Sequence, residues 1–91
     1  MKITHLKEKN RFELSDDGHT ATLDYIPRQN HIVIYEIEVP KYLETQGAVT
    51  ELIKFSLDYA RKNNLKVFPM HHLVTRYMAK DTKSQDLLLI K

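Results

Sequence analysis

The sequence predicts an α+β fold, or a mixed α/β sheet with helices packed on it, and two observations carry this prediction. Apolar and polar residues alternate through residues 19–26, as in a half-buried strand. A nearly continuous apolar strand at 31–39 is then followed by a strongly amphipathic helix at 47–62. With 91 residues, of which 42% are apolar, the chain is large enough for a single domain over residues 1–91.

Antiparallel strands are predicted for the first part of the chain. Residues 10–14 form a short strand that ends at the turn-forming sequence SDDG, residues 15–18. The strand at 19–26 ends at a second turn, residues 27–30. Because this turn is short, the next strand, at 31–39, is expected to pair antiparallel with the one before it.

Strict alternation along the strand at 31–39 divides its side chains between two faces. One face is apolar throughout and carries Val33, Tyr35, Ile37 and Val39. The other face begins with Ile32 and Ile34 and ends with Glu36 and Glu38. A strand that begins covered on both faces and then exposes carboxylates is predicted to reach a cleft or the solvent at its carboxyl end.

A β-helix-β unit is predicted next. The helix at 47–62 has an apolar stripe and, on its other side, opposite charges spaced three and four residues apart. It leads to a strand at 65–68, and such a crossover makes this strand parallel to the preceding one. A second, shorter helix is predicted at 71–80. The tail at 82–91 is polar until residues 87–90, which form an edge strand or a docked chain end.

Composition excludes several kinds of site and partner. The chain has no cysteine, which excludes disulfides, thiolate metal sites and a cysteine nucleophile. Its net charge of +2 comes from 14 basic and 12 acidic residues that are interleaved, so we expect no nucleic-acid partner. The amino-terminal segment lacks the apolar core of a signal peptide, and no apolar run approaches the ~20 residues of a membrane span. We therefore expect no membrane association and a cytoplasmic location.

The loop at 40–47 is the first of three candidate sites. It leads from a strand into the helix at 47–62, and the free N–H groups and positive dipole end of a helix start suit a phosphate or another anion. Thr45 is placed to cap one of these N–H groups itself. The loop therefore predicts either an anion site or an ordinary capped helix.

Histidines and glutamates form the other two candidates. His71 and His72 are adjacent rather than four residues apart, so no metal site is predicted there. A histidine at this position could act as a general base, cap the helix or lie exposed. Glu36 and Glu38 could act as an acid and base, bind an amine, or form a solvated face.

Many residues along the chain follow the order and spacing of a known family. They are Phe12, Gly18, Ala21, the segment 23–25, the sequence Glu38-Val39-Pro40, Leu43, Gln46-Gly47, Leu52-Ile53, the segments 58–61 and 64–67, Pro69, Arg76-Tyr77 and Gln85-Asp86. In this pattern, over roughly residues 10–86, the chain resembles the short subfamily of single-domain GNAT-type N-acetyltransferases.

This resemblance implies a GNAT-like fold with acetyl-CoA as cofactor and an amine acceptor as partner. Backbone groups of Ile37, Glu38 and Val39 would hold the pantetheine arm. The pyrophosphate would bind at the following loop and helix start, which correspond to Gln46, Gly47, Ala48, Val49 and Thr50. The implied reaction is direct transfer of acetyl to an amine of a small molecule or a protein, with His71 and Glu36 as candidate catalytic residues.

Two other functions are considered beside this one. Glu44 and Val49 depart from the family's pyrophosphate sequence, Gln/Arg-x-x-Gly-x-Gly/Ala, and Thr45 stands where the family commonly has a glycine. These three residues favour a GNAT-like protein-binding module that has lost acetyl-CoA turnover. A nucleic-acid-binding α+β domain has only the slight basicity and five tyrosines in its favour. The chain is expected to be a monomer or a homodimer.

Overall fold

The computed structural model describes residues 1–89, and five strands among them form one mixed sheet in the order β1-β2-β3-β4-β5. The strands are β1 (Lys2–Leu6), β2 (Arg11–Asp16), β3 (His19–Pro27), β4 (His31–Glu38) and β5 (Lys66–Pro69). The first four pair antiparallel with their neighbours, and β5 pairs parallel with β4. The predicted mixed sheet and its parallel crossover are therefore confirmed.

Helices cover one face of this sheet. The helical segments are α1 (Lys41–Glu44), α2 (Ala48–Lys62), α3 (His72–Lys80) and two 3-10 helices, Lys7–Lys9 and Thr82–Leu87. The helix α2 contacts β2, β3, β4 and β5, and α3 packs against α2 and β5. The predicted helices at 47–62 and 71–80 are confirmed, each beginning one residue later than predicted.

The hydrophobic core lies between the sheet and α2. Phe12 and Leu23 from the sheet belong to one buried cluster with Leu52 and Ile53 from α2, and none of the four is more than 1% exposed. Burying a side chain of this kind contributes about 1.5–3 kcal/mol. Ser56 lies in the same stripe, and its buried hydroxyl donates to the carbonyl of Ile53 at 2.8 Å. Packing in this layer positions α2 on the sheet.

The strand β1 is absent from the prediction. Its five residues, KITHL, offer little apolar pattern to detect. Its pairing is supported instead by aromatic contacts with other strands, because the His5 ring stacks on Phe12 at 4.1 Å and shares a 2.6 Å hydrogen bond with the Tyr25 hydroxyl. Contacts between distant residues of this kind leave no local periodicity in a sequence.

A β-bulge makes the predicted face assignment of β4 wrong. The register passes from Ile34 opposite Tyr25 to Glu36 opposite Asp24, so Tyr35 is an extra residue on β4. The extra residue interrupts the alternation, so each side chain after the bulge lies on the face opposite to the one that strict alternation predicts. Ile32 and Ile34 share the core face with Ile37, whereas Val33 shares the opposite face with Glu36 and Glu38.

The segment 40–47, predicted as a loop, contains the short helix α1. Pro40 begins it, and the carbonyl of Pro40 accepts from the N–H groups of Leu43 and Glu44, both at 3.0 Å. Leu43 is fully buried and anchors the helix to the core. A four-residue helix with one buried side chain is too short to show a helical period, so its existence depends on tertiary packing.

Residues 88 and 89 dock beside β5. Leu88 forms a single parallel bridge with Val67, and the N–H of Leu89 donates to the carbonyl of Val67 at 2.9 Å. Of the two outcomes predicted for residues 87–90, the docked chain end therefore describes residues 87–89 better than an edge strand. Residues 90 and 91 of the predicted tail lie outside the described residues.

Candidate functional site

The strand β4 has two halves with different surroundings. Residues 32–34 pair with both β3 and β5, and the carbonyl of Ile34 accepts from the N–H groups of Met70 (3.0 Å) and His71 (3.2 Å). Residues 36–38 pair only with β3 among the described strands. The parallel ladder thus ends at Ile34, and β4 continues beyond it with one open edge.

The three predicted pantetheine-binding residues lie along or just after this open half. Ile37 is buried on the core face, and Glu38 is exposed on the opposite face. Val39 is half-buried and packs against the core cluster. Their side chains therefore hold the strand in place, while the backbone edge on the β5 side has no strand beside it within residues 1–89.

The amino end of α2 has no cap. Gly47 precedes the helix with φ 82° and ψ 22°, a left-handed conformation that glycine adopts without strain. The first helical hydrogen bond runs from the N–H of Glu51 to the carbonyl of Gly47 at 3.2 Å. Within residues 1–89, the N–H groups of Ala48, Val49 and Thr50 have neither a backbone nor a side-chain acceptor. These three donors form the first turn of the helix, in which Thr50 is exposed, Val49 is half-buried and Ala48 is fully buried.

Thr45 does not cap this helix, contrary to one of the two predicted outcomes. Its hydroxyl donates to the carbonyl of Tyr42 at 2.8 Å, within the short helix α1. The neighbouring N–H of Gln46 donates to the carbonyl of Leu43 at 3.0 Å, and the Gln46 side chain is exposed. The insertion of α1 moves the helix start beyond Thr45, which leaves the N–H groups of α2 free for another acceptor.

His71 caps α3. Its Nδ1 accepts from the N–H of Leu73 at 3.2 Å, and its ring stacks on that of His72 with centroids 4.8 Å apart. An N–H must find a lone pair, so Nδ1 is unprotonated in this arrangement and Nε2 carries the proton of the neutral ring. The capping role, one of those considered from the sequence, is therefore confirmed, and Nε2–H has no acceptor within residues 1–89.

Glu36 lies on a different side of β4 from the helices. The register places it opposite Asp24, on the face turned away from α2. Asp24 is held by Arg11, whose Nε donates to its carboxylate at 2.6 Å. Glu36 is half-buried, and no hydrogen bond within the described residues joins it to His71. Two carboxylates on one strand face, Glu36 and Glu38, are confirmed, but the two candidate catalytic residues are not in contact.

A groove between α2 and α3 was not predicted from the sequence. Its volume is about 470 Å³, and it begins at Val49 and Thr50, in the uncapped first turn of α2. The facing wall of α3 contributes Arg76, Tyr77 and Lys80. The four-residue spacing of the two cations places them on one helix face, which is the only local indication of this groove in the sequence.

Burial raises the pKa of the Tyr77 phenol above its usual range, and the carboxylate of Asp81 adds to the shift. The half-buried ring is therefore neutral at physiological pH.

Residues 1–89 contain no group of three His, Asp or Glu side chains placed to hold a metal ion. Among the same residues, no helix has the length and apolar character needed to cross a bilayer.

Comparisons with known proteins agree with this geometry. A family model described as GCN5-related N-acetyl-transferase matches residues 11–87. The solution structure of a GCN5-like candidate N-acetyltransferase from Staphylococcus aureus is similar, with a TM-score of 0.75 and 28% sequence identity. The match covers 97% of this chain and 87% of that one. No protein of curated function matches the chain. Since the family model spans most of its length, the chain belongs to the GCN5-related N-acetyltransferase family.

Proposed function

We propose that this protein is an acetyl-CoA-dependent N-acetyltransferase that acts on an amine of a small molecule or a protein. The observation that supports it best is the uncapped start of α2, where the N–H groups of Ala48, Val49 and Thr50 have no acceptor in the described part of the chain. Such a point binds phosphate through both its donors and the helix dipole. The proposal keeps the cytoplasmic location expected from the sequence, and a monomeric or homodimeric state.

The residues at this helix start fit a pyrophosphate. Gly47 has nothing within 4 Å of where a Cβ would stand, so the approach to the free N–H groups is open on that side. The side chain of Val49 packs against the core cluster and lines the groove towards α3, so it is held to one side. Glu44 is exposed, which allows its carboxylate to turn into solvent. Two of the departures from the family sequence are thus compatible with an anion.

The open half of β4 fits the pantetheine arm. This arm carries two amides, which bind to extended backbone as another strand does. The backbone of Ile37, Glu38 and Val39 is unpaired by any strand on the β5 side among the described residues, and it leads towards α1 and the α2 start. Along the chain, only α1 separates the open strand edge from the start of α2.

Bound acetyl-CoA would supply the acetyl group as a thioester. The acceptor amine must lose a proton, and the half-buried carboxylate of Glu36 is the base that we propose for it. His71 cannot take the proton at Nδ1 while it caps α3, but its Nε2–H can donate to a carbonyl oxygen. We therefore assign the base to Glu36 and a hydrogen-bond donor to His71.

The test is a thiol-release assay with acetyl-CoA and a panel of amines. The chain contains no cysteine, so every thiol detected comes from released CoA. We expect Glu36→Gln to lower kcat by about a hundredfold or more, while Glu13→Gln on β2, which β3 separates from β4, leaves it unchanged. His71→Asn keeps a capping acceptor but removes the ring donor, so it should lower kcat, whereas His72→Gln should not.

Calorimetric titration with acetyl-CoA distinguishes the remaining outcomes. Binding with turnover supports the proposal. Binding without turnover on any amine would overturn the enzymatic function and favour the protein-binding module. An absence of binding at millimolar acetyl-CoA would overturn the cofactor assignment as well.

A further inference from the structure

The two edges of the sheet differ in how the chain covers them. At the β5 edge, Leu88 bridges to Val67, and the N–H of Leu89 donates to the carbonyl of Val67 at 2.9 Å. At the other edge, β1 pairs with β2 on one side, and no backbone group within residues 1–89 pairs with its other side. An edge of this kind presents a row of N–H and C=O groups to which another strand can add.

The strand β1 also lacks most of the features that keep other strands away from an edge. Its pairing with β2 is regular over all five residues, from Lys2 opposite Ser15 to Leu6 opposite Arg11. It contains no proline, and Lys2 is its only lysine, arginine or carboxylate. Bulges, prolines and charged side chains are the usual means of blocking an edge strand. Only the first residue of β1 is protected in this way.

An aromatic hollow adjoins the same edge. His5, Phe55 and Tyr59 line it between β1 and α2, and its volume is about 240 Å³. The Phe55 side chain packs against the Phe12 ring with centroids 5.6 Å apart, yet it remains 39% exposed. The surface at this edge therefore offers apolar rings as well as backbone groups, and aromatic residues are enriched in protein interfaces.

We propose that β1 pairs antiparallel with β1 of a second copy of this chain, so that the two sheets join into one across a two-fold axis. In the register of full overlap, Thr4 lies on the axis opposite Thr4 of the other copy. Lys2 then lies opposite Leu6, and Ile3 lies opposite His5. No two like charges of β1 face each other directly, so the strand is complementary to itself.

The aromatic hollow favours a second copy as the occupant of this edge. A two-fold axis between antiparallel strands is perpendicular to the sheet, so the α2 helices of both copies lie on the same face. The two hollows then flank the joined strands, and Ile3 of each copy meets the His5 ring of the other. This ring is already held in place, because it stacks on Phe12 at 4.1 Å and shares a 2.6 Å hydrogen bond with the Tyr25 hydroxyl.

This dimer leaves the candidate acetyl-CoA site accessible. Two strands, β2 and β3, separate β1 from β4 in the sheet. At about 4.8 Å per strand, β4 lies roughly 14 Å from β1. The inference therefore does not rest on the proposed function, and variants of β1 should bind acetyl-CoA as the wild type does.

Sedimentation velocity of the full chain over roughly 10 µM to 1 mM tests the proposal. We expect a dimer to form with increasing concentration. Thr4→Lys places two lysines opposite each other and should weaken association about tenfold or more. Glu13 lies opposite Thr4 on β2, so this lysine is compatible with the folded chain. Thr20→Lys, the same change at an exposed position of the interior strand β3, is the control and should leave association unchanged.

A mixture of two variants tests the two-fold pairing itself. Thr4→Glu should weaken association as Thr4→Lys does, whereas an equimolar mixture of the two should associate more tightly than either alone. Circular dichroism verifies that both variants are folded. In a sample of labelled and unlabelled wild-type chains, intermolecular NOEs should connect residues 2–6 of the two copies.

Each alternative outcome contradicts the proposal. A chain that remains monomeric up to about 1 mM would overturn it. A dimer that persists in Thr4→Lys, or that Thr20→Lys weakens equally, would show that the copies associate through another surface. If the mixed sample associates no more tightly than the separate variants, Thr4 does not lie on the axis.

Discussion

At its carboxyl end α2 is fastened to its neighbours by paired groups, whereas the N–H groups at its amino end have no partner within residues 1–89. Asn63 closes the helix, donating to the carbonyl of Tyr59 from both its backbone N–H and its side chain, at 3.2 and 2.8 Å. Arg61 joins this end to Asp86 and to the carbonyl of Lys83. At the amino end, Gly47 offers no side chain, and three N–H groups have no acceptor among the described residues.

The carboxyl end of α2 therefore contributes to stability, and the amino end is the end that we propose for binding. A folded protein gains nothing by leaving helix N–H groups uncapped, since a capping side chain contributes roughly 0.5–2 kcal/mol. The carboxyl end shows that this chain does satisfy helix ends elsewhere. The amino end is therefore the part of α2 where we propose that an external anion completes the hydrogen bonding. Substitutions at the two ends should accordingly have different consequences.

The largest effect is expected from Phe12→Ala, which removes the aromatic ring under the carboxyl half of α2. Phe12 is fully buried and contacts His5, Phe55 and Tyr59 through ring packing. Its loss should lower the free energy of unfolding by about 3–5 kcal/mol, measured by urea denaturation. Met70→Ala, at a side chain that is 62% exposed, is the control and should change it by less than about 0.5 kcal/mol. Equal effects would show that the core is placed wrongly.

A smaller effect is expected from Gly47→Ala, which tests the amino end. Nothing lies within 4 Å of the added Cβ, so the cost comes from the backbone, whose φ of 82° disfavours alanine by about 1 kcal/mol. Asn64, at the other end of α2, is also left-handed, with φ 57°, which makes Asn64→Ala the matched control. Both variants should lose stability in urea, but only Gly47→Ala should weaken acetyl-CoA binding. Weakening by both would remove the distinction between the two ends.

The smallest effect is a pH dependence at His5, next to the carboxyl half of α2. Burial lowers the pKa of His5, and the nearby Lys7 lowers it further, against an opposing contribution from Glu8. The unfolded chain therefore binds the proton more readily than the folded one. Stability should be fully present above the unfolded pKa of about 6.5 and should decrease as the pH falls through the lower folded value.

Thermal melts of the wild type and of His5→Gln at pH 7.5 and pH 5.5 measure this pH-dependent contribution of His5 to stability. The decrease in Tm between the two pH values should be smaller in His5→Gln, while His72→Gln, at an exposed ring, should keep the wild-type decrease. An unchanged decrease in His5→Gln would show that His5 does not contribute.

How much of the fold could be predicted depended on whether an element carries its own periodic pattern. The stripe that includes Leu52 and Ile53 predicts α2 directly, and the helix crossover then predicts that β5 is parallel to β4. In contrast, β1 is supported by the contacts of His5, and α1 is supported by the burial of Leu43. Neither kind of contact produces a local pattern in the sequence. The bulge at Tyr35 shifts the phase within a strand, which strict alternation cannot reveal.

The candidate site was predictable to the same extent. The order of strand, loop and helix predicts an anion site at Gly47, because this order shows where along the sequence the helix begins. The groove with Arg76 and Lys80 depends on how α3 packs against α2, and a single sequence contains no measure of that packing. Likewise, the hydrogen bond from Leu73 to His71, which limits the histidine to a donor role, is defined by backbone geometry at a helix start.

An NMR titration of the ¹⁵N-labelled chain with acetyl-CoA tests the central claim most directly. Free amides that acquire a phosphate acceptor shift strongly, so the largest changes should occur at Ala48, Val49 and Thr50, followed by residues 37–39. The amides of residues 63–65, at the paired end of α2, should remain unchanged. No shift at millimolar acetyl-CoA, or shifts centred on residues 63–65, would contradict the account.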